Sequence, residues 1–197
     1  LAPAPDFQPG GEAYAHRYLD DFLYKRSVNY TRHISKPMES RRGCSRLSPY
    51  LAYGCVSTRQ VWQASEEAIA RSPNAAPLRN FQSRLWWRGH FIQKLESDHK
   101  MDRLDVNRAF ALLPRRQDEA LFEAWKAGKT GFPMIDACMR CLAATGYINF
   151  RMRAMLATFW SFTLWQDWRI GARYLAATFL DFEPGIHYSQ WQMQSGT

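Results

Sequence analysis

The stretch NFRMRAMLATFWSFTLWQ, Asn149–Gln166, decides the fold. From Met152 to Leu164 it is apolar nearly all round, which predicts a helix over Asn149–Gln166 at the centre of the domain. Arg151, Arg153, Asp167 and Arg169 interrupt the run, which falls short of the roughly 20 apolar residues needed to span a bilayer. No membrane partner is expected.

Outward from this segment the pattern stays helical. Trp168 to Leu180 and Pro133 to Thr145 read as flanking helices, with Gly146 and Gly171 as punctuation or close-packing points. Asp118 to Ala127 is a short helix ended by Gly128, and Pro77 to Glu96 a longer one with Leu78, Phe81, Leu85, Trp86 and Ile92 apolar. Ser57 caps a helix to about Arg71. Ser48-Pro49 offers an N-cap with proline at the first helical position, ended by Gly54. An amphipathic helix opens the chain, with Ala13, Tyr14, Tyr18, Leu19, Phe22 and Leu23 at spacings of three and four. Tyr30 to Gly43 reads as a loop and Ser97 to Arg116 as a charged surface connection. No period-2 strand pattern occurs, so the expectation is an all-α, multi-helical single domain over residues 1–197.

At 197 residues a large multidomain enzyme is excluded, and 46% hydrophobic residues exclude a disordered tail. The net charge of +8 favours a polyanionic partner, nucleic acid or a phosphorylated cofactor. Four cysteines are too sparse for a disulfide framework, which points to a reducing cytoplasm. Cys138 and Cys141 have C-x-x-C spacing, but no second pair or nearby His completes a tetrahedral site; Cys44 and Cys55 flank a turn-rich segment as distant candidate ligands, and the favoured reading of all four cysteines is small core residues. His90 and His99 lack ligand partners, so no metal is assigned. The opening Leu-Ala-Pro-Ala-Pro shows no signal peptide and reads as the start of a domain cut from a longer chain.

Three segments carry chemistry. Cys44-Ser-Arg-Leu-Ser-Pro49 sets two hydroxyls and an Arg at a helix start, which suits an anion and equally suits plain capping by Ser48. Arg84, Trp86, Trp87, Arg88 and His90 interleave cations and aromatics on one helix, a pattern for gripping nucleic acid that also arises when a helix buries Trp and solvates Arg. Arg151 and Arg153 lie in an apolar helix, where an unpaired charge is costly, and Asp181 or Glu183 are the candidate partners.

Read in order, Ser45-Arg-Leu-Ser-Pro-Tyr-Leu-Ala-Tyr-Gly54, Leu85-Trp-Trp-Arg88, Trp125-Lys-Ala-Gly-Lys-Thr-Gly-Phe-Pro-Met-Ile-Asp-Ala137, Phe150-Arg-Met-Arg153 and Trp191-Gln192 resemble the FAD-binding domain of the DNA photolyase/cryptochrome family. Tyr147 to Met155 and Glu183 to Gln190 look like a short bacterial branch of it. The resemblance implies an all-helical domain holding FAD, without the family's N-terminal α/β antenna domain. It places Tyr30, Ser45, Leu47 and Ser48 near the phosphates and ribityl chain, Arg88 and Trp87 along the pocket, and Arg153 with Asp181 beside the flavin. Glu183 stands where the family has a second Asp, and His187 at the position facing flavin N5, usually Asn.

For DNA, the resemblance matches Arg84 to a carboxylate that contacts the lesion, Met193 to a lesion-cradling Trp, and Trp87 to a retained one. Asn149 and Phe150 replace the usual His-Asn pair. The implied function is light-driven DNA repair by electron transfer from FAD to pyrimidine dimers in damaged or single-stranded DNA. A cryptochrome-type blue-light photoreceptor is the alternative, and a separate antenna domain or protein a further partner. Electrons would reach photoexcited flavin through Trp191 and Trp168. The usual third Trp is matched near Arg115, leaving Trp125, Trp160 or Trp165 as other exits or as plain core.

Overall fold

The computed structural model describes residues 6–197; Leu1–Pro5, read above as lacking a signal peptide, lie outside them. Among the described residues no strand forms, and a single parallel bridge joins Arg116 to Gln166. The chain gathers into two compact units, Gln8–His90 and a second built from Phe91–Thr197 with Asp6 and Phe7.

In the unit Gln8–His90, α1 (Glu12–Asp21) runs straight into a π turn, Phe22–Arg26, and a 3-10 turn, Ser27–Asn29. The region expected to be a loop holds two short helices, α2 (Tyr30–His33) and α3 (Glu39–Gly43). Tyr30 is buried there, its ring edge-on to Phe22 at 5.4 Å and to Phe81 at 6.0 Å, so a tertiary aromatic cluster fixes a turn that local periodicity does not announce. α4 (Ser48–Ala52) starts one residue earlier than read. Arg46 takes a left-handed φ of 59°, Leu47 is already helical and accepts from Leu51 N at 2.9 Å, and Ser48 is therefore inside the helix rather than its cap. α5 (Thr58–Arg71) has the capping box its sequence promised: Ser57 Oγ accepts from Gln60 N at 3.2 Å while Gln60 Oε1 accepts from Ser57 N at 2.8 Å. Phe22, Leu47, Tyr50, Val61, Leu78 and Phe81 form the core of this unit.

The boundary between the units falls within α6 (Ala76–Ser97), between His90 and Phe91. In the second unit, α7 (Glu119–Lys126) is capped by Asp118 and α8 (Pro133–Thr145) begins on proline and ends on left-handed Gly146, as read. The decisive helix is shorter than expected: α9 (Phe150–Thr158) gives way to a π turn, Phe159–Thr163, and stops before Trp165, whose φ is 55°. One face of it is exposed at Arg151 and Thr158 while Leu156, Ala157, Phe159 and Trp160 are buried. α10 (Trp168–Thr178) follows, and then a helix the periodicity did not predict, α11 (Pro184–Ser195). The buried positions of α11 are Gly185, His187, Ser189, Trp191, Gln192 and Ser195, a set too polar to read as an apolar stripe.

The expected surface connection after Ser97 is anchored instead. Met101 is fully buried and Asp105 nearly so, because Gln192 Nε2 donates to the Met101 and Leu104 carbonyls and Asp105 pairs with Arg169 at 2.8 Å. The core of this unit is aromatic: Trp125, Trp160 and Trp168 are buried essentially completely. Each indole removes about 150–250 Å² from water, on the order of 4–6 kcal/mol of transfer free energy.

Candidate flavin-binding residues and their surroundings

In the unit Gln8–His90 the Ser45–Ser48 loop is held by Arg26 at the end of the first π turn. Its guanidinium is paired with Asp21 and donates to the carbonyls of Arg42 (3.0 Å) and Cys44, so the loop hangs from one cation. Gln8 Nε2 adds a bond to the Arg46 carbonyl at 2.8 Å. Ser45 Oγ accepts from Leu47 N at 3.4 Å, and the Ser48 hydroxyl makes no hydrogen bond among the described residues. Leu47, expected near the phosphates, is 1% exposed, so its side chain belongs to the core and only its backbone is left for a ligand. Tyr30 is buried, and Arg88 donates to the Leu51 carbonyl at 3.3 Å.

On α6 the expected nucleic-acid face is divided. Leu85 is buried; Arg84 is exposed, with Nη2 donating to Asn80 at 3.1 Å, and Trp87 is half exposed, standing edge-on to His90 at 5.7 Å. Trp86 is 71% exposed, its ring edge-on to Trp62 at 5.5 Å, so this helix leaves both tryptophans largely in solvent.

In the second unit Arg153 and Asp181 pair as anticipated. Arg153 Nη2 lies 2.9 Å from both carboxylate oxygens and hydrogen-bonds Oδ2, Nε goes to the Ile148 carbonyl at 2.9 Å, and the guanidinium stacks 4.1 Å over Phe179. Asp181 Oδ1 is buried and ion-paired with Nη2 but receives no aligned hydrogen bond. Glu183, the other candidate partner, does something else: its carboxylate accepts from Gly185 N at 3.3 Å and Ile186 N at 2.9 Å and caps α11.

That cap orients the helix bearing His187, Trp191 and Met193. His187 is buried, and its Nε2 lies 2.8 Å from the Ala172 carbonyl, so Nε2 carries the hydrogen and Nδ1 is an acceptor to which no described residue donates. Burial pushes its pKa down to about 4, with Arg153 adding to the fall and the Ala172 bond and Asp181 opposing it. Trp191 is buried with its ring 6.3 Å from His187, while Met193 is 60% exposed. Trp168 is buried with its indole N–H donated to Asp105 at 2.7 Å.

A bound FAD finds matching chemistry here. The lone buried oxygen of Asp181 and the open Nδ1 of His187 are acceptors awaiting a donor such as a flavin ring N–H, beside a guanidinium that suits its carbonyl oxygens. Sequence reasoning found these residues but missed the capping role of Glu183, whose signal was available in Glu183-Pro184 followed by Gly196 after the helix.

Comparison with known proteins agrees. Residues 81–197 match the family described as the FAD binding domain of DNA photolyase. A deoxyribodipyrimidine photo-lyase of Alkalihalophilus pseudofirmus is 34% identical over 189 residues, covering 95% of this chain and 38% of that protein. Among solved structures, a class III photolyase from Agrobacterium tumefaciens superposes with a TM-score of 0.90 at 30% identity over 99% of this chain and 41% of its own. A cryptochrome from Synechocystis sp. PCC6803 does so with 0.89 at 27% over 98% and 40%. The chain thus spans about two fifths of the length of these relatives. With a family model over more than half of its residues and an all-helical structure to match, the chain belongs to the family of FAD-binding domains of DNA photolyases.

Proposed function

We propose that this chain is the FAD-binding part of a light-driven flavoprotein that repairs pyrimidine dimers in DNA. The observation that carries the cofactor assignment is the Arg153–Asp181 pair with its unsatisfied buried oxygen. Bound flavin would supply light absorption and one-electron chemistry. Residues of each unit would bind and orient it: in the second unit Arg153 and Asp181 toward the ring and His187 toward N5, and in the unit Gln8–His90 the Arg26-tethered Ser45 and Ser48 with Tyr30 and Arg88 toward phosphates and ribityl. Glu183 acts by holding the start of α11 in place.

Exposed Arg84 and Trp87 in the unit Gln8–His90, the cation meeting phosphate and the indole an unstacked base, would contact damaged or single-stranded DNA, as would exposed Met193 in the second unit. A separate antenna domain or protein would feed light to it. Four free cysteines fit a reducing compartment such as the cytoplasm, and no helix among the described residues is long and apolar enough to cross a membrane. The test is dimer repair: the flavin-loaded protein under blue light should return thymine dimers in an oligonucleotide to monomers, and darkness should abolish it.

One feature favours a photoreceptor instead. Arg84 occupies the position where repair enzymes are expected to present a carboxylate to the lesion, and a cryptochrome is among the structural relatives. Flavin photochemistry without dimer splitting would select that reading.

A further inference from the structure

In the unit Gln8–His90, α5 and α6 lie side by side and run in opposite directions. Gln82 Nε2 on α6 donates to Ser65 Oγ on α5 at 3.0 Å and to the Glu66 carboxylate, and one turn further along α6 the Trp86 ring meets Trp62, centroids 5.5 Å apart and rings crossed at 76°. Trp62 is partly buried against the core of the unit, which fixes its indole, whereas Trp86 is 71% exposed. The two rings make an open apolar corner on the seam between the helices. A cation stands beyond each end of it. Arg79 lies two turns before Trp86 on the same face of α6, and Arg59 lies one turn before Trp62 on α5. Because the helices are antiparallel, the two arginines flank the corner, about 15 Å apart along the seam at a rise of roughly 1.5 Å per residue. Both are exposed, and neither side chain makes an ion pair or a hydrogen bond among the described residues.

We propose that the Trp62–Trp86 corner is a docking site for an acidic, amphipathic helix of a partner protein. One apolar side chain of that helix enters the corner, and carboxylates before and after it meet Arg79 and Arg59. Tryptophan and arginine are the side chains in which the binding energy of protein interfaces concentrates. Charge complementarity selects the acidic partner, since the unit Gln8–His90 holds nearly all of the chain's net charge of +8 and the two cations at the corner have no counterion of their own. The corner needs no flavin, and Trp87 of the DNA face proposed above points about 100° away from Trp86 around α6.

A nucleic-acid strand suits the corner less well than a peptide. Glu66 and Glu67, both exposed, follow Trp62 within about one turn of α5 and repel phosphates. Rings crossed at 76° also leave no run of parallel faces on which successive bases could stack, whereas a corner accepts one branched side chain. The spacing of the arginines sets the partner's pattern. Arg79 precedes Trp86 by seven residues and Arg59 precedes Trp62 by three in the opposite direction. On a helix laid along the seam this becomes one acidic residue seven positions to one side of the apolar anchor and another three positions to the other side, all on one face.

The test is fluorescence anisotropy of the full chain with two labelled helical peptides of about 18 residues, one for each chain direction. Each carries Leu as the anchor, Glu seven and three positions from it on opposite sides, and Ala and Gln elsewhere. Saturable binding of one of them is expected, weakened at least tenfold by Trp86→Ala and at least fivefold by Arg79→Glu and by Arg59→Glu. Replacing the Glu seven positions from the anchor by Lys should restore affinity for Arg79→Glu. Trp86 and both arginines are exposed, so these variants keep the fold, which the helical circular dichroism checks. Arg71→Glu makes the same charge change about half a turn around α5 from Trp62 and should leave affinity within twofold. Absence of peptide binding, or equal losses for Arg71→Glu and Arg79→Glu, overturns the proposal. So does oligothymidylate binding that falls tenfold in Trp86→Ala while neither peptide binds, which assigns the corner to a nucleic-acid strand instead.

Discussion

The Nε2 atom of His187 on α11 lies 2.8 Å from the carbonyl oxygen of Ala172 on α10, and this contact fixes the tautomer of a buried imidazole beside Arg153 and Asp181. A hydrogen on Nε2 leaves Nδ1 as an acceptor, which suits a partner that brings a proton and repels one that brings a lone pair. Under the flavin reading proposed above, His187 would favour a ring hydrogenated at N5.

The titration of His187 follows from its burial. The unfolded imidazole binds a proton near 6.5 and the folded one only near about 4, so between those values the unfolded chain holds more protons. Stability from this residue is complete above pH 6.5 and is lost as pH falls toward 4, by on the order of 3 kcal/mol. Urea melts at pH 7.0 and 4.5 should show the loss in the parent, and His187→Asn should remove most of the difference. A His187 Cε1 proton resonance titrating near 6.5 in the folded chain would contradict the burial argument.

Asp181→Asn should weaken flavin retention at least tenfold and destabilise the chain by ~3 kcal/mol, since Arg153 loses a buried counterion while keeping its bonds to Ile148 and its stacking on Phe179. The low end of the range applies because Arg153 is a quarter exposed. Equal flavin content and equal urea midpoint in variant and parent would show that the pair is neither a cofactor contact nor a structural one.

Gly171→Ala tests the close approach of Trp191 and Trp160 to α10 directly. The added methyl meets Trp191 and Trp160, which are buried and have no open space into which to retreat. Overpacking of this kind costs about 1–3 kcal/mol, against the roughly 1 kcal/mol that alanine gains over glycine in helix propensity. A variant more stable than the parent in urea would mean that the indoles are free to move apart.

How far the sequence carries these conclusions differs by element. α8 is legible end to end because Pro133 and Gly146 mark its limits and its apolar face is continuous. The Arg153–Asp181 pair is legible because charges in an apolar setting demand partners. By contrast, α11 hides because its buried face carries Ser189, Gln192 and Ser195, and the bonds of Ser189 and Gln192 to Met101 and Leu104 exist only once the chain has folded. Ser48 looks like a cap until the left-handed turn at Arg46 is known. The Trp191–Gly171–Trp160 contact joins residues from three elements, and no spacing along the chain reports it.

On the exposed part of α6, Arg84→Glu reverses the charge next to Trp87. Binding of a dimer-containing oligonucleotide should weaken at least fivefold at low salt, and the slope of affinity against salt concentration should fall by about one counterion. Unchanged affinity and slope would remove this helix face from the DNA surface and move the photoreceptor reading forward.

The central claim is that this chain holds FAD, and the most direct measurement is the visible absorption spectrum of the purified chain after incubation with FAD and removal of unbound ligand. The account predicts the structured bands of a protein-bound flavin at close to one FAD per chain, reduced at least tenfold by Asp181→Asn. A folded, helical chain that emerges colourless, or takes up flavin equally well in parent and Asp181→Asn, would contradict it.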